Sequence, residues 1–220
     1  MSYSGRTAPG APAQSIDLGT FALTKLAVGP LDNNVYLLRA PDGTGLLIDA
    51  ADEADRILPI VGDTPLAGVI TTHRHGDHWR ALADVVAATG APTMAGADDV
   101  PGIGVPTDIA LADGETVRVG DPAAGGGEVE VISLRGHTPG GIALHVGAAD
   151  GTHHLFTGDS LFPGGVGHTA GPAEFEQLLD DVSAKLFQRF DDAHVYPGHG
   201  WDTTLAAERP HLGEWAARGW

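Results

Sequence analysis

The stretch from Thr71 to His78 is the feature that most constrains how this chain folds. It reads Thr-Thr-His-Arg-His-Gly-Asp-His and places three histidines and one aspartate within six consecutive positions. Residues 66–70, just before it, have the apolar pattern of a short buried strand, and residues 79–88, just after it, have helical spacing. The sequence therefore predicts a strand-to-helix turn crowded with imidazoles, in the kind of loop where a rigid scaffold positions functional side chains.

The spacing of these side chains suits metal coordination. In an extended turn, His73 and His75 project to the same side and can reach one cation, whereas Asp77 and His78 lie on the bend into the helix. This offset favours two metal ions over one. Imidazole and carboxylate bind zinc and other first-row metals, and thiolate is excluded because the chain contains no cysteine.

Three further candidate ligands follow predicted strands, and each lies beside a glycine. His137 follows the alternating strand at residues 129–134, Asp159 follows a strand at 153–157, and His199 follows a strand at 193–196. The neighbouring glycines allow the backbone to turn tightly next to a ligand. Together with the first cluster, these side chains complete a set large enough to hold two metal ions.

These motifs resemble those of the metallo-β-lactamase-fold hydrolases, which carry a His-x-His-x-Asp-His motif like the one at residues 73–78. The closer resemblance is to the short, single-domain glyoxalase II-like branch, through Gly-His-Thr-Pro-Gly at 136–140, Thr-Gly-Asp-Ser at 157–160 and Pro-Gly-His-Gly at 197–200. The resemblance implies an α/β fold, an αββα sandwich of two facing mixed sheets with helices outside. The order of predicted strands and helices favours the same layered architecture.

The resemblance also implies how the metals are held. It implies two divalent ions, zinc by preference with iron or manganese as alternatives, and a bridging carboxylate from Asp159. One ion is expected on the first set, which is His73, His75 and His137. The other is expected on the second set, which is Asp77, His78 and His199. Asp77 is further expected to orient the hydroxide that the two metals share.

The implied reaction is hydrolysis of an acyl thioester by a metal-bridging hydroxide. A thiolate leaving group, from a thiol of pKa about 8.5, departs without a strong general acid, which favours a thioester over an amide. Two enzymatic alternatives stay open: a lactonase, and an iron-dependent oxygenase resembling persulfide dioxygenases, with iron on His73, His137 and Asp159. A noncatalytic metal-binding protein is the third class of function.

Two residues near the motifs are candidates for substrate binding. His168 follows the Asp159 motif, where the related enzymes usually carry Arg or Lys, and we predict a substrate contact there. Trp79 begins the predicted helix where small residues are usual, and it either lines an acyl pocket or packs in the core.

Charge and composition narrow the partners. The formal net charge is −17, from 29 acidic and 12 basic residues, so we expect a small-molecule acyl substrate and no nucleic acid. No segment has the roughly 18 apolar residues of a membrane span, and we expect a cytoplasmic enzyme that does not bind membranes.

The domain organisation follows from length and from the composition of the N-terminus. Residues 20–220 are predicted to form a single metallo-β-lactamase-like domain. Residues 1–19, rich in Gly, Ala, Pro and Ser, are predicted to be a flexible N-terminal arm, with the alternative that they wrap onto a partner subunit in a homo-oligomer.

Overall fold

Two β-sheets lie face to face in the computed structural model, which describes residues 3–219. The strands of the first sheet follow one another in chain order: β1 (Gln14–Asp17), β2 (Ala22–Val28), β3 (Asn33–Arg39), β4 (Gly45–Ile48), β5 (Leu66–Thr71), β6 (Thr93–Gly96) and β7 (Ile109–Leu111). Strands β1 to β4 pair antiparallel, whereas β4 to β7 pair parallel. The sheet is therefore mixed, as predicted.

The second sheet is also mixed. Its strands are β8 (Thr116–Val119), β9 (Gly127–Ser133), β10 (Ile142–Gly147), β11 (His153–Gly158), β14 (His194–Pro197) and β15 (Thr203–Thr204). Their spatial order is β15-β14-β11-β10-β9-β8, and β11 and β14 are the parallel pair. Between β11 and β14 in the chain, β12 (Leu161–Phe162) and β13 (Gly165–Val166) form a small separate hairpin.

Helices cover the outer side of each sheet. On the first sheet, α1 (Ala54–Val61) and α2 (Leu82–Thr89) contribute to one apolar cluster with β2 to β5. On the second sheet, α3 (Pro172–Val182), α4 (Leu205–Glu208) and α5 (Leu212–Arg218) contribute to another. A third cluster fills the space between the sheets. The predicted αββα sandwich is confirmed.

Alternation along the strands explains why both faces of the first sheet are apolar. Successive side chains of a strand point to opposite faces. Leu38 and Leu46 therefore pack between the sheets, whereas their neighbours Leu37 and Leu47 pack under the helices. All four side chains are fully buried, which is the pattern of a sheet covered on both sides.

Two predicted helices differ in detail from the sequence-based expectation. The helix predicted over 79–88 begins at Leu82, because Gly76–His78 forms a 3₁₀ turn that delays it. The apolar residues of 175–190 recur at three- and four-residue intervals and predict one continuous helix. The structure has α3 followed by a π-helical turn at Ser183–Phe187, in which the Gln188 N–H donates to the Ser183 carbonyl at 2.9 Å. Both differences arise from local backbone hydrogen bonding that the hydrophobic period does not report.

The N-terminal segment that we predicted to be a flexible arm packs against the domain. Residues 1 and 2 lie outside the described part of the chain, but Gln14–Asp17 form β1 and pair with β2. The Tyr3 hydroxyl donates to Asp202 at 2.5 Å. Specific long-range hydrogen bonds therefore hold a segment whose composition resembles that of a linker.

Lys25 is the buried cation at the centre of this attachment. Its side chain is fully buried, and Nζ donates to the Gly5 carbonyl at 3.0 Å, the Gly200 carbonyl at 2.8 Å and Asp202 Oδ1 at 2.6 Å. Burial lowers the pKa of Lys25, and Asp202 opposes that effect. One ammonium thus ties the N-terminal segment to the loop after β14.

Replacement of Lys25 by Met tests this attachment. The change leaves the Asp202 carboxylate mostly buried without its cation, so we expect the free energy of unfolding to fall by about 3–5 kcal/mol in urea titration. Arg118→Met is the control, because the exposed ion pair of Arg118 with Glu128 contributes less than about 1 kcal/mol. Equal losses in the two variants would contradict the role given to Lys25.

Candidate metal centre

The predicted metal ligands converge at one edge of the sandwich, and both sheets contribute. Four of them follow β5 of the first sheet, and the others follow β9, β11 and β14 of the second sheet. In chain order they are His73, His75, Asp77, His78, His137, Asp159 and His199. The structure therefore brings together side chains from four separate segments.

The first set of predicted ligands is a group of three imidazoles. His73 Nε2 lies 3.1 Å from His75 Nδ1 and 3.3 Å from His137 Nε2. His73 is buried, His137 is partly buried and His75 is exposed, so this group opens to solvent on one side.

The second set is two imidazoles and a carboxylate. His78 Nε2 lies 3.1 Å from His199 Nε2. Asp77 Oδ2 lies 3.4 Å from His199 Nε2 and 3.7 Å from His78 Nε2. Asn33 Nδ2 donates to the same Asp77 oxygen at 3.0 Å and thereby fixes its orientation.

Asp159 lies between the two sets. Its Oδ2 is 3.6 Å from His137 Nε2 of the first set and 3.3 Å from His199 Nε2 of the second. Its Oδ1 is 3.4 Å from His78 Nε2 and has no partner that satisfies hydrogen-bond geometry among the described residues. The carboxylate is therefore positioned to contact cations in both sets.

The ring nitrogens that face one another fit a cation. His137 Nδ1 donates to the His168 carbonyl at 2.6 Å, and His199 Nδ1 donates to the Leu31 carbonyl at 2.8 Å. In the neutral rings, Nε2 then carries a lone pair. Lone pairs facing each other at hydrogen-bond distance repel unless a proton or metal ion lies between them. The donor set thus fits divalent metals, and the ligating atoms of each possible group lie within 4.8 Å of one another.

The ionisable groups of the site have pKa values shifted in different directions. Burial lowers the pKa of His73 well below the usual range and keeps its ring neutral. Burial also opposes protonation of His78, but Asp49 and Asp159 outweigh it and raise the pKa of His78 to about 10. Burial opposes ionisation of Asp159, but the neighbouring His199 and His78 rings outweigh it and hold the pKa of this carboxyl well below its usual range. Asp159 is therefore ionised and available as a ligand at neutral pH.

Asp49 orients histidines of both sets, and sequence reasoning missed it. Its Oδ2 accepts from His78 Nδ1 and from the Thr72 hydroxyl, both at 2.8 Å. The Thr72 oxygen in turn accepts from His73 Nδ1 at 3.1 Å. Asp49 has a φ of 56°, a left-handed conformation that costs energy for a residue with a Cβ. Its signal in the sequence is an acidic residue directly after the apolar strand β4.

Asp99 is a second buried carboxylate that the sequence did not indicate. It accepts from the Arg74 N–H at 3.0 Å, the Thr138 hydroxyl at 2.6 Å and the Gly140 N–H at 2.8 Å. It therefore joins the loop that carries His73 to the loop that carries His137. No local motif marks such a residue, because its partners lie 25 to 41 positions away.

The glycine that precedes the last predicted ligand, Gly198, lies where no side chain fits. A Cβ at this position would lie 2.2 Å from Asp159 Oδ1 and 2.7 Å from His78 Cε1. Any larger residue would therefore displace two predicted ligands, Asp159 and His78. The glycine noted in the sequence serves close packing as well as the turn.

The two predicted substrate-binding residues lie beside the cluster in different ways. His168 holds His137 through its main-chain carbonyl, and its side chain is exposed. Trp79 donates from Nε1 to the Arg74 carbonyl at 2.9 Å, and it packs against the apolar cluster under α1 and α2. A substrate contact by either side chain stays a prediction.

Comparison with known proteins identifies the family. Residues 28–199 match the model of the Metallo-beta-lactamase superfamily, and the chain belongs to that superfamily. A hydroxyacylglutathione hydrolase of Fuscovulum blasticum is 36% identical over 168 residues, which are 74% of this chain and 62% of that protein. This chain thus spans less than two thirds of that relative's length. The resemblance indicated by the motifs is confirmed.

Two further relatives are matched over nearly their whole length. The hydroxyacylglutathione hydrolase GloC of Haemophilus influenzae is 28% identical over 84% of this chain and 93% of its own length. The crystal structure of TTHA1623 in a di-iron-bound form has a TM-score of 0.70 and 28% identity, and it covers 84% of this chain and 96% of that one. Within residues 3–219, none of the helices has the length and apolar character needed to cross a membrane.

Replacement of Asp49 by Asn tests the support of the metal centre. An amide that keeps its oxygen toward the Thr72 N–H directs NH₂ at His78 Nδ1, which disfavours the ring tautomer that leaves Nε2 free. We expect metal affinity to fall about 10- to 100-fold, measured by competition with a chromophoric chelator. Asp84→Asn is the matched control, because Asp84 is exposed on α2. Unchanged affinity in Asp49→Asn would refute its role.

Proposed function

We propose that this protein is a metal-dependent hydrolase that cleaves an acyl thioester at a binuclear centre, with zinc as the expected metal. The observation that carries the proposal is the position of Asp159 between two separate ligand sets, with contacts of 3.3 to 3.6 Å to histidines of both. A site for one metal has no need of the second set. The hydroxyacylglutathione hydrolase names of several relatives favour a thioester as the substrate.

The ligand chemistry supports hydrolysis without a protein nucleophile. Bound divalent cations would lower the pKa of water toward neutrality and polarise the acyl carbonyl. Asp77 is held by Asn33 through one oxygen, which leaves its other oxygen to orient the attacking water. Among the proposed ligands, His75 is exposed and His199 is partly exposed, so an acyl group can approach from this side.

The second candidate function is an iron-dependent oxygenase with iron on His73, His137 and Asp159. One specific observation favours iron as the metal, which is the di-iron-bound form of a relative that is 28% identical, although that form holds two ions and the oxygenase requires one. The complete second set of ligands favours hydrolysis, because a mononuclear oxygenase does not require it.

The deciding experiment uses one preparation, stripped with a chelator and reloaded with zinc or with iron(II). For a hydrolase, we expect about two zinc ions per chain and release of thiol from S-lactoyl thioesters. One iron per chain, with oxygen uptake on a persulfide and no thiol release, would establish the oxygenase instead.

Removal of one ligand of the second set tests the binuclear centre. We expect His199→Gln to bind about one metal per chain and to lose activity about 100-fold or more, because the second cation stabilises developing charge by several kcal/mol. His211→Gln is the control, because His211 is an exposed histidine near α5. Two tightly bound metals in His199→Gln would rule out the proposed second set.

Replacement of Asp77 by Asn separates orientation of water from folding. The variant keeps the shape of the side chain but loses its negative charge, so we expect an unaltered far-ultraviolet circular dichroism spectrum and a much lower rate of thioester hydrolysis. Asp84→Asn again serves as the control for loss of one surface charge. A rate equal to that of the parent protein would contradict the role of Asp77.

A further inference from the structure

A cavity of about 480 Å³ opens beside His137, outside the proposed ligand cluster. One wall is the loop Arg135 to Pro139, and the other is the start of α3, with Glu174 and Gln177. Arg74, which stands between two proposed ligands in the sequence, also lines it. A substrate that reaches the first set of ligands thus has room to extend into this cavity.

The backbone and the side-chain stem of Arg74 are fixed by their neighbours. The Arg74 N–H donates to buried Asp99 at 3.0 Å, and its carbonyl accepts from Trp79 Nε1 at 2.9 Å. Gly102 packs on the stem so closely that a Cβ there would lie 2.6 Å from Arg74 Cδ. Packing against Gly102 restricts the stem of this side chain, which reduces the entropy lost on binding.

The terminal N–H groups of the Arg74 guanidinium are available to donate to a ligand. Its nearest carboxylate is Asp99, with Nε 4.0 Å from Oδ1, and the side chain is 44% exposed. No terminal N–H of this guanidinium makes a hydrogen bond to any residue between 3 and 219. Arg135, in contrast, uses Nε and one terminal nitrogen on Asp181 at 3.2 and 3.4 Å. Arg74 is therefore the cation of this cavity that is available to a ligand.

We propose that Arg74 is a specificity-determining residue that binds a carboxylate carried by the substrate, with the carboxylate in the cavity between the His137 loop and α3. The inference rests on the proposed thioester hydrolysis and specifies the substrate class, which is a thioester with a carboxylate a few bonds from the sulfur. The planar fork of a guanidinium matches a carboxylate with two parallel hydrogen bonds.

The surrounding charges favour a single negative charge over a phosphate. Glu174 lies on the opposite wall of the cavity. Asp181 forms an ion pair with Arg135, and Asp99 lies 4.0 Å from Arg74. A dianion would meet more repulsion from these carboxylates than a monoanion would. In a chain of net charge −17, an available arginine beside the reaction centre is also the local feature that can attract an anionic substrate.

The test compares two substrates of nearly equal shape, the acetyl thioesters of 3-mercaptopropionate and of 3-mercaptopropionamide. With the zinc-loaded protein, we expect kcat/KM to favour the carboxylate about 10- to 100-fold, mainly through KM, as for a hydrogen bond to a charged group. Arg74→Gln should bring the ratio close to one, and Arg74→Lys should restore part of it. Arg118→Gln, an exposed arginine on β8, should keep the parent ratio. Metal content is measured for every variant.

The outcomes separate this inference from the proposed function. Hydrolysis of both substrates with equal kcat/KM, or a preference that survives Arg74→Gln, would overturn the role of Arg74 and leave thioester hydrolysis standing. Hydrolysis of neither substrate would count against the proposed function. The carboxylate site is then decided by ligand-observed NMR with the uncleavable 3-(ethylthio)propanoate and its amide. Tighter binding of the acid that Arg74→Gln abolishes supports the site, and equal binding of acid and amide overturns it.

Discussion

The rest of the metal centre depends on the hydrogen bonds that the buried carboxylate of Asp49 accepts. It accepts from His78 and, through Thr72, orients His73, so one side chain sets the direction of a ring in each proposed ligand set. Its left-handed backbone conformation is unfavourable for an aspartate. The energy stored there is offset by two short hydrogen bonds and a backbone N–H from Thr72 at 2.7 Å. These hydrogen bonds set the ring directions without any contact from a substrate, which is what a preorganised site requires.

The candidate ligands could be predicted because their signal is local. Four of the seven lie within six positions, and the other three follow strands beside glycines, so strand pattern and motif order were sufficient. Asp49, Asp99 and Lys25 could not be predicted in the same way. Each acts on partners that the fold brings from distant parts of the chain, such as Gly200, 175 positions from Lys25. The order of residues 3–19 was missed for the same reason, since composition says nothing about tertiary hydrogen bonds.

The loop that presents His199 shows how the fold supports the site from outside the ligand cluster. Lys25 and Asn34 donate to the Gly200 carbonyl, and Tyr36 and Asn34 donate to the Pro197 carbonyl at 2.7 and 2.9 Å. Strands β2 and β3 of the first sheet thus hold a loop that follows β14 of the second sheet. Side chains that take no part in the chemistry thereby define where one of the proposed ligands can lie.

The division of the proposed ligands between two sheets has a mechanical consequence. Four come from the half of the chain that builds the first sheet, and three come from the half that builds the second. A cation bound by both halves would link the two sheets. Because it binds the folded state, it would stabilise the whole domain by mass action. If the proposed sites are filled, the thermal stability of the domain would therefore rise with the concentration of free metal, and removal of the metal would lower the melting temperature.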